Sequence, residues 1–277
     1  MPALAALRRA LAGWRPDDRR GCLAAYGLLL IWCAPLLIPW DGRGSLISDW
    51  EYFLTFFEVF RSSVLDHGQF PALNPYNCLG SPLWANPQIG YVSHYGIAVL
   101  LFGALGGMKV GMVLSIFFAF EGARALGRRL FQAPTAAVIA GLLYALNPAI
   151  AAHLTRGQAC FGSYFLAPLL FLFCLQLRER RWAGAWAGLC AGAMVLYGVH
   201  YFVLYTLALA GLLSVVVAIR GRAGWALARF GASFVLVLLA VSAARLLPIL
   251  SLLAAHPRDV QIALQWPMAL LFKALFV

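Results

Sequence analysis

The sequence is poor in charged residues. Only 11% of its 277 residues are Asp, Glu, Lys or Arg, and only ten are acidic, whereas 63% are apolar. With a mean hydropathy of +0.82, the chain has too few polar side chains to cover a water-soluble globule. Apolar runs of about 18 residues or more, the length that crosses a bilayer, recur along it. The composition therefore excludes a soluble domain and predicts an integral membrane protein.

The sequence also lacks the common catalytic and metal-binding motifs. Its six cysteines form no CxxC pair and no zinc-ligand spacing, and no P-loop, nucleophile elbow or metalloprotease motif occurs. ATP-driven transport and the common hydrolase mechanisms therefore have no support. The net charge of +11 comes from arginines divided among short segments between apolar runs, a pattern that orients membrane proteins. We predict no nucleic-acid partner and no set of metal-binding side chains.

The apolar runs predict an all-α fold class, a polytopic transmembrane helix bundle that forms a single domain over residues 1–277. About seven spans are expected, at 22–40, 108–127, 134–150, 161–177, 183–199, 201–219 and 230–250. Residues 41–107 are predicted to form a long external first loop with interfacial or re-entrant helices, and spans 2–7 then occupy 108–250. Arginines before the first span predict a cytoplasmic N-terminus.

The apolar segment 89–106 decides the topology. If it crossed the membrane, nine later arginines would lie outside the cell: Arg124, Arg128, Arg129, Arg178, Arg180, Arg181, Arg220, Arg222 and Arg229. If it does not cross, all nine lie inside with the five N-terminal arginines, as the bias of positive charge toward the cytoplasm favours. The arginines therefore predict that 89–106 is a re-entrant or surface-lying helix.

The polar stretch 41–88 holds five of the ten acidic residues and only two arginines, which gives it a local charge of −3. Within it, aromatic residues recur at spacings of three and four and predict a helix over 50–66 that lies along the membrane interface. Asp49 directly precedes this helix. It is our candidate catalytic residue, and the alternative is that its side chain caps the helix N-terminus.

Other ionisable residues at the predicted external face are candidates for substrate binding, because such residues at membrane depth are functional by default. The candidates are Glu51, His153, Arg156, His200 and Arg258. For Glu51 the alternative is a solvated helix face. His153, Arg156 and His200 have the alternative of snorkelling at the interface, and Arg258 that of an ion pair with Asp259.

The order of these features resembles a known family. A basic N-terminus, a first span, an acid in the motif SDW, an interfacial helix and the run GQFPALNPYNCLGSPLWANPQ are similar to the first external loop of GT-C-type membrane glycosyltransferases. The stretch FEGARALGRRLFQAPTAAVIAGLLYALNPAIAAHLTRG is similar to the second and third spans of their bacterial branch, and ARLLPILSLLAAHPRD to the end of their seventh span. The resemblance implies a bacterial-type inner (plasma) membrane.

This resemblance also implies a function. Such enzymes take a sugar from a polyprenyl phosphate or diphosphate on the external face, so a lipid-linked sugar donor and membrane lipid are the expected partners. Asp49 matches the family's acid, and Arg258 falls near its phosphate-binding arginine. Some members carry a second acid in the next external loop, but the corresponding residues 151–160 of this chain contain no acid. No cofactor is therefore certain, and a divalent metal ion is an alternative.

The chemistry needs only one carboxylate, because a lipid phosphate leaves already charged and requires no acid to protonate it. In the family, the first seven spans form a shared N-terminal module that a variable C-terminal part completes. Residues 251–277 are expected to form an external segment and the start of a further apolar helix. We therefore expect a fragment that lacks a C-terminal module or partner subunit and shows no transfer by itself. The alternatives are a membrane transporter and a catalytically silent accessory or scaffold subunit.

Overall fold

The computed structural model of the protein describes residues 16–37, 49–76, 80–131, 133–198 and 201–255. Its α-helices are α1 (Pro16–Leu37), α2 (Trp50–Leu65), α3 (His94–Leu130), α4 (Pro134–Ala145), α5 (Pro148–Thr155), α6 (Leu166–Leu175), α7 (Ala183–Tyr197), α8 (Tyr201–Arg220) and α9 (Gly224–Ala255), with a 3-10 helix over Ala159–Phe165. Two short antiparallel strands, β1 (Leu73–Asn74) and β2 (Ser81–Pro82), pair in the loop between α2 and α3. The predicted helix over 50–66 is confirmed as α2.

An all-α helical bundle is confirmed, and its helices fit a membrane protein. Within the described ranges, five helices are long and apolar enough to cross a membrane: Arg19–Leu37, His94–Leu130, Pro134–Thr155, Tyr201–Arg220 and Gly224–Ala255. Two shorter apolar helices occupy Ala159–Leu175 and Ala183–Tyr197. Each of the seven predicted spans therefore contains an apolar helix, while the number that cross a bilayer stays a prediction.

Helix α3 is a hairpin of two helical arms. At Gly103 the backbone leaves the helical region with φ 77° and ψ 171°, a conformation that is essentially open to glycine alone. A Cβ atom on Gly107 would overlap the backbone of Val99, so the short arm (94–102) packs antiparallel against the long arm (104–130). His94 Nε2 lies 2.7 Å from the carbonyl oxygen of Gly111, so the returning arm passes beside the start of the hairpin. The segment 94–111 therefore goes out and returns without traversing the bundle.

Gly107→Ala is expected to destabilise the protein by about 1–3 kcal/mol, because the added methyl group meets rigid backbone rather than a movable side chain. Thermal unfolding of the detergent-solubilised protein measures this. The matched control is Gly27→Ala in α1, where a new Cβ would meet no atom within 4 Å and stability should be unchanged or slightly raised. Equal melting temperatures for the two variants would refute the close packing of the arms.

Helix α1 packs antiparallel to the long arm of α3. Tyr26 in α1 donates a hydrogen bond to Glu121, and Arg124 Nε donates to the same carboxylate at 3.1 Å. The buried Arg124 is thus paired with a partly exposed glutamate, as a cation in low-dielectric surroundings requires. The antiparallel packing also brings the basic start of α1 beside the basic end of α3.

The arginines of successive helix ends meet at one end of the bundle. Arg129, at the end of α3, pairs with Glu179 in the turn after α6. A Cβ on Gly221, just after α8, would meet the guanidinium group of Arg178 in that same turn. We call this the basic end. The start of α2 lies at the opposite end of the bundle, because Trp50 lines one cavity with Leu36, near the end of α1, and Lys109, near the start of the long arm of α3.

Two helices differ in their bounds from the predicted spans. The predicted span 134–150 contains a break, because α4 ends at Ala145 and a new helix, α5, begins at Pro148. Proline disfavours helical backbone at the residue before it, and the side chain of Asn147 accepts a hydrogen bond from the N–H of Ala149 at 2.9 Å, which caps the new helix. His153 consequently lies in a helix, although Sequence analysis placed it in an external loop at 151–160. Helix α9 also extends beyond the predicted span 230–250 at both ends.

Arg245 in α9 holds the loop before α3 in place. Its side chain is fully buried and donates hydrogen bonds to the carbonyl oxygens of Leu196, Asn86 and Ile89. The guanidinium carbon also lies 5.2 Å from the ring centre of Trp84. One buried guanidinium group thus donates to three carbonyl groups in largely apolar surroundings, and that of Asn86 also accepts from the N–H of Ile89.

Candidate active site

The start of α2 is fixed against the end of α5. The N–H group of Asp49 donates to the carbonyl oxygen of Arg156 at 2.9 Å, and Trp50 Nε1 donates to that of Thr155 at 2.8 Å. Gly157 makes this approach close, since a Cβ there would lie 2.8 Å from the Cα of Trp50, and its φ of +82° also favours glycine. These backbone contacts place the Asp49 side chain beside the turn that follows α5.

Asp49 occupies the N-cap position of α2, but its side chain makes no capping hydrogen bond. Instead its Oδ2 atom accepts a hydrogen bond from Gln158 Nε2 at 2.5 Å. The side chain is exposed, so the carboxylate presents its other oxygen to the space outside the helix. The Asp49 side chain therefore forms no capping hydrogen bond, and its carboxylate contacts Gln158 instead.

Hydrogen bonds continue from Asp49 through Gln158 to a histidine and a tyrosine. A carboxylate only accepts, so the amide group of Gln158 faces Asp49 and its oxygen faces His153 Nδ1 at 2.5 Å. Because an amide oxygen accepts, Nδ1 is the donor in this contact. The other ring nitrogen, Nε2, lies 3.4 Å from the hydroxyl oxygen of Tyr201. The chain of donors and acceptors thus ends on the carboxylate.

Aromatic rings hold the histidine in position. The His153 ring stacks on Phe161 with a centroid distance of 3.8 Å and an interplanar angle of 6°. Tyr201 meets the same Phe161 ring edge-on at 5.5 Å. Stacking fixes the plane of the imidazole, and the hydrogen bond from Nδ1 fixes its tautomer.

A cleft of about 610 Å³ opens over these groups. The residues that line it are Asp49, Tyr52, Phe53, Pro87, Gln88, His153, Gln158, Cys160, Phe161 and Tyr201. This volume lies within the range of small-molecule binding sites, which is about 300–1,000 Å³. A single carboxylate, several amide and hydroxyl groups and flat aromatic walls are suited to a polyhydroxylated ligand such as a sugar, whose ring faces stack while its hydroxyl groups hydrogen-bond.

The far wall of the cleft depends on the loop that Arg245 holds. Tyr52 donates to Gln88 Oε1 at 3.2 Å, and the N–H group of Gln88 donates to Asn86 Oδ1 at 2.9 Å. Tyr91, in the same loop before α3, donates to the carbonyl oxygen of Pro71 at 2.8 Å. Burial raises the pKa of the Tyr91 hydroxyl above its ordinary value, so Tyr91 stays a neutral donor and braces the loop.

The structure brings together two of the predicted site residues, Asp49 and His153. Glu51 and Arg156 have exposed side chains and do not line the cleft, although the backbone of Arg156 positions Asp49. His200 and Arg258 lie outside the described residues. The site roles of these residues stay predictions.

Sequence analysis assigned no role to Gln158, Tyr52, Gln88 or Tyr201. Gln158 lies 109 residues from Asp49 in the chain, and no local pattern indicates that the two meet. Tyr52 and Tyr201 lie in apolar stretches of the sequence, where an aromatic residue indicates packing and not a functional site. Only the polar composition of the turn around Gln158 offered a signal.

The described part of the chain contains no group of three or more His, Cys, Asp or Glu side chains that could hold a metal ion. In the cleft, Asp49 and His153 are separated by the amide group of Gln158, which hydrogen-bonds to both. Among the described residues, the cleft therefore offers no set of side chains that fits a divalent metal.

The chain was compared with known proteins at three levels. No family model, no curated protein and no solved structure matches it. The functional assignment therefore depends on the residues of the cleft.

Proposed function

We propose that the protein is a GT-C-type membrane glycosyltransferase, or the N-terminal module of one. It transfers a sugar from a polyprenyl-phosphate-type lipid donor to an acceptor hydroxyl on the external face of the membrane. The observation that carries this proposal is the position of the Asp49 carboxylate. It makes no capping hydrogen bond, lines the cleft and accepts a hydrogen bond from Gln158 at one oxygen. The order of sequence features that resembles this family supports it.

In the proposed reaction Asp49 acts as a general base. Its free carboxylate oxygen removes the proton from the acceptor hydroxyl as that oxygen attacks the anomeric carbon of the sugar. The bond from the anomeric carbon to the phosphate oxygen breaks, and its electron pair leaves with the lipid phosphate, which needs no proton. Attack from the face opposite the phosphate inverts the anomeric carbon. The protonated Asp49 then loses its proton to water.

His153 and Gln158 act as positioning residues in this scheme. The hydrogen bond from the Gln158 amide fixes the rotamer of Asp49, and His153 fixes the amide by donating to its oxygen. An oriented base spends no free energy on reorganisation during the reaction, and general-base catalysis contributes about 10²–10⁴-fold to rate.

We infer the orientation of the protein from the two ends of the bundle. The basic end lies in the cytoplasm, as the distribution of positive charge in membrane proteins favours, and the Asp49 cleft then opens on the external side. The reversal at Gly103 supports a re-entrant segment at 89–106, because the chain returns to its starting level.

Cysteine labelling in intact cells tests this orientation. The described native cysteines are buried, and replacing Cys78 by serine removes the sixth. The thiol of an Arg128→Cys variant is expected not to react with a membrane-impermeant thiol reagent added outside the cell. The thiol of a Tyr76→Cys variant is expected to react, because Tyr76 is 78% exposed. Reaction at 128 and protection at 76 would reverse the proposed orientation.

The transfer activity is tested in membranes of cells that produce the native protein. Membranes from cells with and without the gene receive radiolabelled polyprenyl-phosphate sugars, and the label is followed into a product from which the lipid is absent. Transfer that depends on the gene and on Asp49 is expected. An unchanged labelling pattern for every donor tried would favour the scaffold alternative, and gene-dependent movement of an unmodified solute would favour the transporter.

A further inference from the structure

A groove runs along the outside of the bundle between α7 and α9, near the basic end. It has a volume of about 380 Å³ and is lined by Trp182, Ala185, Trp186, Leu189 and Val237. The first four stand at positions i, i+3, i+4 and i+7, which share one face of a helix. Trp182 is 60% exposed and Trp186 is 52% exposed, so the groove opens on the surface of the bundle. We call it the tryptophan groove.

The packing of α7 on α9 fixes where the groove begins. A Cβ atom on Gly184 would lie 2.3 Å from the carbonyl oxygen of Phe230, and one on Gly188 would lie 2.4 Å from that of Phe234. The two helices therefore run side by side in the same direction, with their backbones in close approach. Residues that precede Gly184 on one helix and Phe230 on the other lie together at the basic end.

Two arginines occupy that level. The guanidinium carbon of Arg181 lies 5.2 Å from the ring centre of Trp182, a cation–π contact that holds the charge at the wall of the groove. Arg229 lies in the first two turns of α9. Both side chains are exposed, and neither forms an ion pair with a described residue. Glu179, the acid nearest to Arg181 in the sequence, belongs to a different ion pair.

We propose that the tryptophan groove binds an anionic two-chain phospholipid, with one acyl chain along its apolar walls and the phosphate on Arg181 and Arg229. Basic side chains at the ends of transmembrane helices attract anionic head groups, and tryptophan is enriched at the level of those head groups. A guanidinium group at the mouth of an apolar groove is complementary to a molecule that carries its negative charge at the end of a hydrocarbon chain.

The walls of the groove favour a lipid chain over a helix of another protein. Trp186 stacks on Phe173 of α6 with a centroid distance of 6.3 Å and an interplanar angle of 22°, which fixes its ring as a wall. Partner helices in membranes pack closely against stretches of small residues, whereas Ala185 is the one small residue among those that line the groove. A flexible acyl chain fits between large rings without such a stretch.

The tryptophan groove lies at the end of the bundle opposite to the start of α2, so this proposal does not depend on sugar transfer. Lipid binding is measured by native mass spectrometry of the full chain released from detergent. The probes are phosphatidylglycerol and phosphatidylcholine with the same acyl chains. We expect the first phosphatidylglycerol to bind at least about fivefold more tightly than phosphatidylcholine, the effect of one arginine near an anionic head group.

Three variants test the site. Arg181→Gln is expected to reduce the preference for phosphatidylglycerol by about fivefold and to leave phosphatidylcholine binding unchanged. Ala185→Leu fills the space between the two tryptophan rings and should weaken binding of both lipids. Arg20→Gln is the matched control, because it removes an exposed arginine from the start of α1 and should change neither affinity.

Equal affinity of the wild-type protein for the two lipids would overturn the proposal. Unchanged phosphatidylglycerol binding by a folded Arg181→Gln protein would overturn it as well, and an equal loss in Arg20→Gln would replace the site by diffuse attraction to the basic end. Inorganic phosphate at the concentration of the lipid should not compete, and full competition would contradict a role for the acyl chain. A dimer in the same spectra that Ala185→Leu abolishes would assign the groove to a second copy of the chain instead.

Discussion

Asp49→Asn is expected to lower sugar transfer by at least about a hundredfold, the low end for removal of a general base. Asparagine has almost the same size, and its Oδ1 atom can still accept the hydrogen bond from Gln158, so the start of α2 should keep its structure. What is lost is the basic oxygen that takes the acceptor proton. Initial rates of transfer in membranes that carry equal amounts of each protein measure the effect.

Glu58→Gln is the matched control. It removes one negative charge from the same helix, at a side chain that is 59% exposed and pairs with Arg61 at 3.9 Å away from the cleft lining. Exposed pairs of this kind contribute little to stability, so both folding and transfer should stay unchanged. Full transfer by a folded Asp49→Asn protein would end the assignment of Asp49 as the base.

Arg245→Met is expected to destabilise the protein by on the order of 3 kcal/mol, since hydrogen bonds from a charged group contribute about 1.5–3 kcal/mol each and buried acceptors lose their donor. Methionine has a similar length and an apolar side chain, so the change removes the donors to Leu196, Asn86 and Ile89 without creating a large void. Thermal unfolding in detergent measures the loss of stability. Faster proteolysis of the loop before α3 should accompany it.

Transfer should also fall in Arg245→Met, because the released loop carries Gln88, which lines the cleft. Arg220→Met is the control, since Arg220 is exposed at the end of α8. Arg245→Lys keeps the charge on a single nitrogen and should recover only part of the stability, because one ammonium group does not reproduce the spread of the guanidinium donors. A normal melting temperature for Arg245→Met would show that the carbonyl groups find other donors.

Much of the fold followed from local properties of the sequence. Low charge and recurrent apolar runs determined an all-α membrane bundle, and the spacing of aromatic residues determined α2 almost to its ends. The positions of the arginine clusters predicted that 89–106 does not cross the membrane. In the structure the backbone reverses at Gly103, within that segment. These features depend on residues within a few turns of one another, or on where charges lie along the chain. Both properties are visible in the sequence itself.

The candidate site depended on tertiary structure. Sequence placed Asp49 at the start of a helix, where it is a candidate both for capping and for catalysis. Its contact with Gln158, 109 residues away in the chain, could be found only in the tertiary structure. The partners of Arg245 were equally hidden, because they are backbone carbonyl groups 49, 156 and 159 residues away and not an acidic side chain. Hydrophobic periodicity states which side of a helix is buried but not which helix it faces. In a bundle of similar apolar helices, packing alone decides that choice, and the cleft around Asp49 forms where α2, α5 and the start of α8 come together.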